Sequence, residues 1–369
     1  MRVAHLDTGR TWRGGQAQVL RLMSGLRARG HGCLLLAPEG PLLEQARALG
    51  IEGVRWSSLG EWDAVAVLRA AAALGRFGPE VAHCHSAHAH ALGVPAARLA
   101  RVPVAVVSRR VDFAVAGNPL SRLKYRLPVD RYLCISRGVM EVMRRAGIPE
   151  SRLALVPSGV ELSAAKVVSA GAPAADLRAL LGVAEGAPVV GTVAALAPHK
   201  DHATLLRAAA LVVARRPDVH FAWVGEGECR AALEKQRSSL GLEGHVHLLG
   251  FRTDALGLLG QFTVFALSSY LEGLCTSLLD AQSLGVPIVA TAVGGVPDVV
   301  EDGATGRLVP ERDPEALARA LLEALDRPGE CREWAARARE SVRRFSVEQM
   351  VEHTLVQYEL ALRARAPRA

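Results

Sequence analysis

Val264-Phe265-Ala266-Leu267-Ser268-Ser269-Tyr270-Leu271-Glu272-Gly273-Leu274-Cys275-Thr276-Ser277-Leu278-Leu279-Asp280-Ala281-Gln282 reads as strand, loop and helix in turn. Four consecutive apolar residues, Val264–Leu267, suit a strand buried on both faces. A helix starting near Thr276 leaves Glu272 in the loop and puts Asp280 in the second helical turn. The same grammar recurs on both sides of this stretch. In the second half, Val189–Ala195, His220–Val224, Val246–Leu249 and Ile288–Thr291 read as further strands. In the first half the strands are Val3–Leu6, Cys33–Ala37, Val81–His85, Val104–Ser108, Tyr132–Ile135 and Leu153–Val156. Helical segments such as Gln16–Arg29, Asp63–Arg76, Ala87–Ala100, Arg137–Ala146 and His202–Arg215 separate them. Strand and helix in alternation require crossover connections, hence parallel sheets with helices on both faces. The Ala/Gly/Ser-rich stretch from Ser163 to Gly186 breaks the rhythm, apart from a short helix, Asp176–Leu181. The chain is therefore expected to be α/β, with two doubly wound units in tandem. From Pro310 to Ala364 it reads as almost wholly helical. A break at Arg344-Phe345-Ser346 precedes a final helix, Val347–Arg363.

Composition narrows the function classes. In 369 residues, 50% are hydrophobic and 22% charged, which provides a large core and excludes global disorder. Aromatics are only 4%, too few for a stacking surface, so no nucleic-acid partner is expected. No apolar run is long enough to span a bilayer. An acid, Asp7, comes too early for a signal peptide, and six dispersed cysteines form neither a disulfide framework nor a zinc ribbon. A reducing cytoplasm is the expected location. The net charge of +7 is concentrated: residues 98–152 hold 12 Lys and Arg against 4 acids. This segment reads as a local partner surface, although a solvated Arg-rich face explains it as well.

Six places can carry chemistry. Gly14-Gly15, after the first strand, lets backbone approach a ligand and opens a helix whose N–H groups face an anion. An ordinary glycine-rich turn fits too, and the missing GxGxxG disfavours a nicotinamide site. Lys200 stands out because the chain has only four lysines, and it lies between a strand end and a helix that Asp201 can cap. Gly225-Glu226-Gly227 is a strand-end turn that leaves room for a ligand, or a plain tight turn. Glu272 and Asp280 can accept hydrogen bonds from a hydroxyl-rich ligand at the carboxyl end of the sheet, and Gly273 admits close approach. Gly294-Gly295 is a second anion-friendly turn. His83, His85, His88 and His90 invite a metal reading that no nearby carboxylate supports. His85 is instead expected to act as a polar or general-base group, while His88 and His90 ride a helix.

Taken together these motifs resemble the retaining nucleotide-sugar glycosyltransferases of family 4. The resemblance rests on Gly14-Gly15 with Arg29-Gly30-His31, Pro157-Ser158-Gly159-Val160, Lys200, Gly225-Glu226-Gly227 and Leu249-Gly250-Phe251. It continues through Glu272 to Asp280, Gly294-Gly295-Val296-Pro297-Asp298 and Gly303-Ala304-Thr305-Gly306. It implies the GT-B fold: two Rossmann-like domains facing a cleft, with the final helix crossing back to the first. The acceptor domain would be 1–165 plus 346–369, and the donor domain 175–345. The implied activity is retaining, hexosyl-type transfer to an acceptor hydroxyl in cell-surface glycan or lipopolysaccharide-type synthesis.

By that resemblance, Phe251 and Arg252 border the nucleobase and Asp280 holds the ribose. Lys200 and the amides near Gly15 bind the diphosphate. Glu272, Gly273 and Leu274 hold the sugar, with Gly14, Gly225 and Glu226 nearby. The implied catalytic set is Glu272, Lys200 and His85, with no metal and no cofactor beyond the nucleotide-sugar co-substrate. The chain departs from the family in three places. Asp280 stands where Glu is usual, Ala195 where an Arg is common, and Ser108-Arg109-Arg110-Val111-Asp112 where many members place a histidine. His85, Arg109 and Asp112 are therefore the acceptor-side candidates. The acceptor is expected to be a saccharide or lipid-linked, with residues 98–152 meeting an anionic membrane surface on the inner face of the cell membrane. Rival readings are a nucleotide-sugar 2-epimerase and a non-catalytic nucleotide-sugar or polyanion binder.

Overall fold

The computed structural model describes residues 1–113, 115, 122–162 and 175–365. Much of the expected break, residues 163–174, lies outside the described residues. The chain divides into two compact units, Met1–Gly159 with Val347–Ala369, and Val160–Ser346.

The first unit runs β1 (Arg2–Leu6), α1 (Gly14–Ala28), β2 (Gly32–Ala37), α2 (Pro41–Ala48), β3 (Glu52–Arg55), α3 (Ala64–Phe77), β4 (Val81–Cys84), α4 (Ala87–Leu99), β5 (Val104–Arg109), β6 (Arg131–Cys134), α5 (Arg137–Arg145) and β7 (Leu153–Leu155). Its strands form one sheet in the order β3-β2-β1-β4-β5-β6-β7, every pair parallel. The C-terminal helix, Val347–Arg365, completes this unit. It packs on α1, where Gly25 permits the approach: a Cβ there would lie 2.5 Å from Val351 Cγ2. Val351, Tyr358 and Ala361 join Val3, Val19, Leu22 and Leu26 in one buried cluster.

The second unit runs α6 (Leu177–Leu181), β8 (Val189–Val193), α7 (His202–Arg215), β9 (His220–Val224), α8 (Arg230–Ser239), β10 (Val246–Gly250), α9 (Ala255–Leu259), β11 (Val264–Leu267), α10 (Thr276–Leu284), β12 (Ile288–Thr291), α11 (Val296–Val299), β13 (Arg307–Val309), α12 (Pro314–Asp326) and α13 (Pro328–Ser341). Its sheet order is β10-β9-β8-β11-β12-β13, again wholly parallel. Its core gathers Phe221, Trp223, Val264, Leu317 and Trp334.

Both sheets thus reverse winding direction once, between β1 and β4 in the first unit and between β8 and β11 in the second. In open α/β sheets the crevice at such a switch point, outside the carboxyl ends of the strands, is where ligands bind. Three helices are capped as their sequences suggest. Ser136 accepts from Val139 N at the start of α5, Asp176 from Arg178 N and Ala179 N, and Asp201 from Thr204 N. Two edge strands, β3 and β13, escape the sequence pattern. Glu52-Gly53-Val54-Arg55 has no fully buried residue, and β13 has three residues, so neither offers an apolar run. Pro328 splits the long C-terminal helical region by ending α12 and opening α13.

Candidate active site

The loops at the β8/β11 switch point bring Lys200 and Glu272 together. After β8 the chain passes through Ala194–Ala197 into a 3-10 turn, Pro198–Lys200. Asp201 follows with φ 46°, an uncommon conformation for a non-glycine residue, and caps α7. After β11 the chain enters Ser268–Cys275. Cys275 also has positive φ, 54°, immediately before α10. Strained backbone of this kind persists where the surroundings over-determine it, and it clusters at functional sites.

Lys200 Nζ donates to Glu272 Oε1 in a close ion pair. Ser269 Oγ donates to the same carboxylate oxygen at 2.8 Å. Three further bonds fix the loops that carry the pair. Ser268 Oγ donates to Lys200 O (2.9 Å), Tyr270 N to His199 O (3.0 Å), and Gly295 N to Glu272 O (3.0 Å). Glu272 is buried, and the Lys200 side chain keeps 15% of its surface exposed. The site therefore holds a cation and an acceptor-only carboxylate at the end of a parallel sheet. Gly273 and Leu274 continue the same loop, with Leu274 buried. Asp280 lies in the second turn of α10, half-buried.

The glycines of Gly225-Glu226-Gly227 serve a different purpose from the one their sequence suggests. A Cβ on Gly225 would lie 1.9 Å from Ala194 O, and one on Gly227 would lie 2.4 Å from Leu196 O. Gly225 also has φ 146°. The space they leave is filled by the neighbouring loop rather than open to a ligand: Ala194 N donates to Val224 O and Leu196 N to Glu226 O, both at 3.0 Å. Glu226 pairs with Arg230 at 2.6 Å. Phe251 is exposed, and Arg252 clasps Asp254 at 2.8 and 2.7 Å, which holds the Asp254 carboxyl down to about 2.

The first unit has its own cluster at the β1/β4 switch point. His5 and His83 are register partners on β1 and β4, and His85 follows β4. His5 Nδ1 and His85 Nε2 are 2.9 Å apart. His83 bonds to Tyr358 OH (2.6 Å) and Ser108 Oγ (2.8 Å). Arg110 Nη2 lies 3.3 Å from His85 Nδ1. Asp7 Oδ1 accepts from Gly9 N (2.7 Å) and Gln16 Nε2 (3.1 Å). Burial pushes the His5 ring down to about 3 and the His83 and His85 rings well below their ordinary range, with Arg110 adding repulsion. The ligand atoms of these histidines lie within 4.8 Å of one another, a spacing that suits a divalent metal. The guanidinium against His85 and the partners on His83 oppose one. Gly14 and Gly15 open α1, whose start has no side-chain cap. Arg109 turns away from the histidines, to Tyr125 OH (3.1 Å) and Phe113 O (2.6 Å), and Asp112 follows in the same loop. Sequence reasoning missed His5, Asp7, Arg110 and Tyr358. Only the parallel pairing of β1 with β4 and the return of the last helix bring them together.

Comparison with known proteins adds the family. Residues 12–164 match the model described as Glycosyltransferase Family 4, and residues 175–341 match Glycosyl transferases group 1. The chain belongs to the glycosyltransferases. An Escherichia coli relative, UDP-Gal:alpha-D-GlcNAc-diphosphoundecaprenol alpha-1,3-galactosyltransferase, is 28% identical over 67% of this chain and 66% of its own length. The lipopolysaccharide core biosynthesis glycosyltransferase LpsE of Rhizobium meliloti is 30% identical over 56% of each chain. The match thus spans about half to two thirds of these relatives. Among solved structures, Anabaena Alr3699/HepE in complex with UDP and glucose has a TM-score of 0.83 at 20% identity, covering 98% of this chain and 100% of that one. A Rickettsia africae glycosyltransferase has a TM-score of 0.84 at 16% identity, covering 98% of both. The glycosyltransferase therefore has the two-sheet GT-B architecture.

The buried histidines give its stability a pH signature. Their folded-state values lie below the usual ~6.5, so the unfolded chain takes up protons first as pH falls. Stability is then fully present above about pH 6.5 and declines below it, by up to about 1.4 kcal/mol per pH unit for each such ring. Urea unfolding between pH 7.5 and 5 should show this decline, with a shallower slope in His5→Asn. An equal slope in that variant would contradict the assignment.

Proposed function

We propose that this glycosyltransferase moves a sugar from a nucleotide-sugar to an acceptor hydroxyl with retention of configuration, without a metal. The observation that carries the reading is the Lys200–Glu272 pair at the second sheet's switch point. Breaking the anomeric C–O bond builds positive charge on the sugar and negative charge on the departing diphosphate. Lys200 is a fixed cation for that diphosphate, and such charge acts most strongly where water is excluded. Glu272 accepts hydrogen bonds from sugar hydroxyls and leaves Lys200 as the donor to the phosphate. Asp280, on the next helix, is the group proposed to hold the ribose, and Phe251 and Arg252 border the base. Retention follows when the acceptor attacks from the face that the diphosphate leaves. The proposal assigns no carboxylate the role of nucleophile and so involves no covalent intermediate.

The acceptor is proposed to be lipid-linked or a lipopolysaccharide-type saccharide, since the E. coli relative's name specifies a diphosphoundecaprenol substrate and the Rhizobium relative's a lipopolysaccharide core. No described helix is long and apolar enough to cross a membrane. Attachment would be peripheral, through the segment 98–152. Much of that segment's charge is engaged in ion pairs: Arg98 with Asp130, Lys124 with Glu61, Arg144 with Glu150 and Arg145 with Glu141. Arg122 and Arg126 are exposed beside Leu123, and this mixed patch is the part that suits an anionic bilayer.

Lys200→Ala should lower kcat about 100-fold or more, the scale for losing one preorganised electrostatic group. Glu272→Gln should abolish transfer yet keep nucleotide binding, measured as the melting shift across a panel of UDP-, GDP- and ADP-sugars. Wild-type turnover in either variant would refute the assignment. In liposome sedimentation the protein should prefer anionic over zwitterionic vesicles, and Arg122→Glu with Arg126→Glu should remove the preference. Equal binding to both vesicles would rule out the surface.

A further inference from the structure

Hydrogen-bond direction in the first unit assigns roles that distances alone leave open. An arginine is a donor only. Arg110 Nη2 therefore donates to His85 Nδ1, which must present a lone pair. The His85 proton then sits on Nε2 and is donated to His5 Nδ1. The His5 proton in turn sits on its own Nε2, a buried atom with no hydrogen-bond partner in the structure. One chain of donation runs from Arg110 through His85 to His5, and each link fixes the tautomer of the next.

This chain is at odds with His85 as a general base. Its one lone pair already faces Arg110. A proton there would set N–H against N–H and place a second cation beside the guanidinium. His85 is buried, and its ring is held well below the ordinary histidine range by burial, by His83 and His5, and by Arg110. The charged and titratable groups around it come from every neighbouring element: His5 and Asp7 at the end of β1, His83 on β4, Arg110 after β5 and Tyr358 on the C-terminal helix. Of these Asp7 supports the positive charge of Arg110 and is itself pinned by Gly9 N and Gln16 Nε2. The Arg110 side chain runs beside the Gly14–Gly15 turn, its Cδ 4.0 Å from where a Cβ on Gly15 would stand.

We propose that His85 is a positioning residue that holds the Arg110 guanidinium at the end of the first sheet, and that Arg110, rather than His85, Arg109 or Asp112, is the charged group this unit contributes to the reaction. The group it would meet is an anionic oxygen, a phosphate in either the donor or the acceptor. The inference rests on the glycosyl-transfer reading for its activity consequence, but its geometry can be tested without turnover.

Two measurements test it. Long-range 1H–15N NMR of the imidazoles in the intact chain should show His85 protonated on Nε2 only, unchanged from pH 8 to 5.5. A doubly protonated ring at pH 6 overturns the proposal whether or not the enzyme turns over. Kinetics then separate a base from a positioning residue, with the nucleotide-sugar that gives the largest melting shift as donor. His85→Ala should lower kcat/KM at least about tenfold and Arg110→Gln about 100-fold. His85→Asn, whose amide oxygen can accept from Arg110, should recover most of the His85→Ala loss without altering the pH profile. A His85→Asn enzyme as inactive as His85→Ala overturns the proposal and restores the base. Inorganic pyrophosphate should inhibit the Arg110→Gln enzyme more weakly than wild type if the anion is the donor's diphosphate, and equally if it is an acceptor phosphate. Arg110→Gln with wild-type kcat/KM overturns both.

Discussion

A part-buried cation and a buried carboxylate meeting at the end of the second sheet constrain everything around them. Removing both charges from water is costly, and their attraction offsets that cost only when geometry and extra hydrogen bonds are supplied. Here Ser269 donates to Glu272, and the backbones of Lys200, His199 and Gly295 are tied to the same loops. Such a pair is weak evidence for stability and better evidence for function. In the proposed function it keeps a charged group ready for a ligand that offers a stronger partner, on loops that are tied to one another by hydrogen bonds. The positive φ of Asp201 and Cys275, one in each loop, is consistent with that rigidity.

The first unit solves a related problem with neutral rings. Three histidines are buried side by side, and none can be charged without repelling Arg110. The hydrogen bonds of His85 and His5 therefore have a fixed direction, set by a residue that can only donate. Tyr358 brings the C-terminal helix into the same network through His83, so the last helix both completes the core and supports the switch-point cluster. The shared architectural feature of the two units is the reversal in strand order beside the strand that comes first in each, β1 and β8, the place where open α/β sheets form a crevice.

The fold was legible because buried parallel strands are continuous apolar runs: Val264–Leu267 and Ile288–Thr291 stand out against their flanks. Helix starts at Ser136, Asp176 and Asp201 were legible because capping is local chemistry. β3 and β13 were not, since neither carries a continuous apolar run. In the second unit, Lys200 was conspicuous through rarity and Glu272 through its apolar flanks. The first unit's cluster was hidden. His5, Asp7, Arg110 and Tyr358 are far apart in sequence, and only β1–β4 pairing and the docking of the last helix assemble them. Gly225 and Gly227 were visible as special, but their purpose, a close passage of neighbouring backbone, is a tertiary fact.

The central claim is that Lys200 exchanges Glu272 for the diphosphate of a nucleotide when the donor binds. Calorimetric titration of a nucleoside diphosphate and of its nucleoside monophosphate into wild type and Lys200→Met tests this directly. The account predicts that the substitution weakens the diphosphate at least about tenfold, roughly 1.4 kcal/mol, while affecting the monophosphate far less. Equal affinity of both proteins for the diphosphate would contradict it.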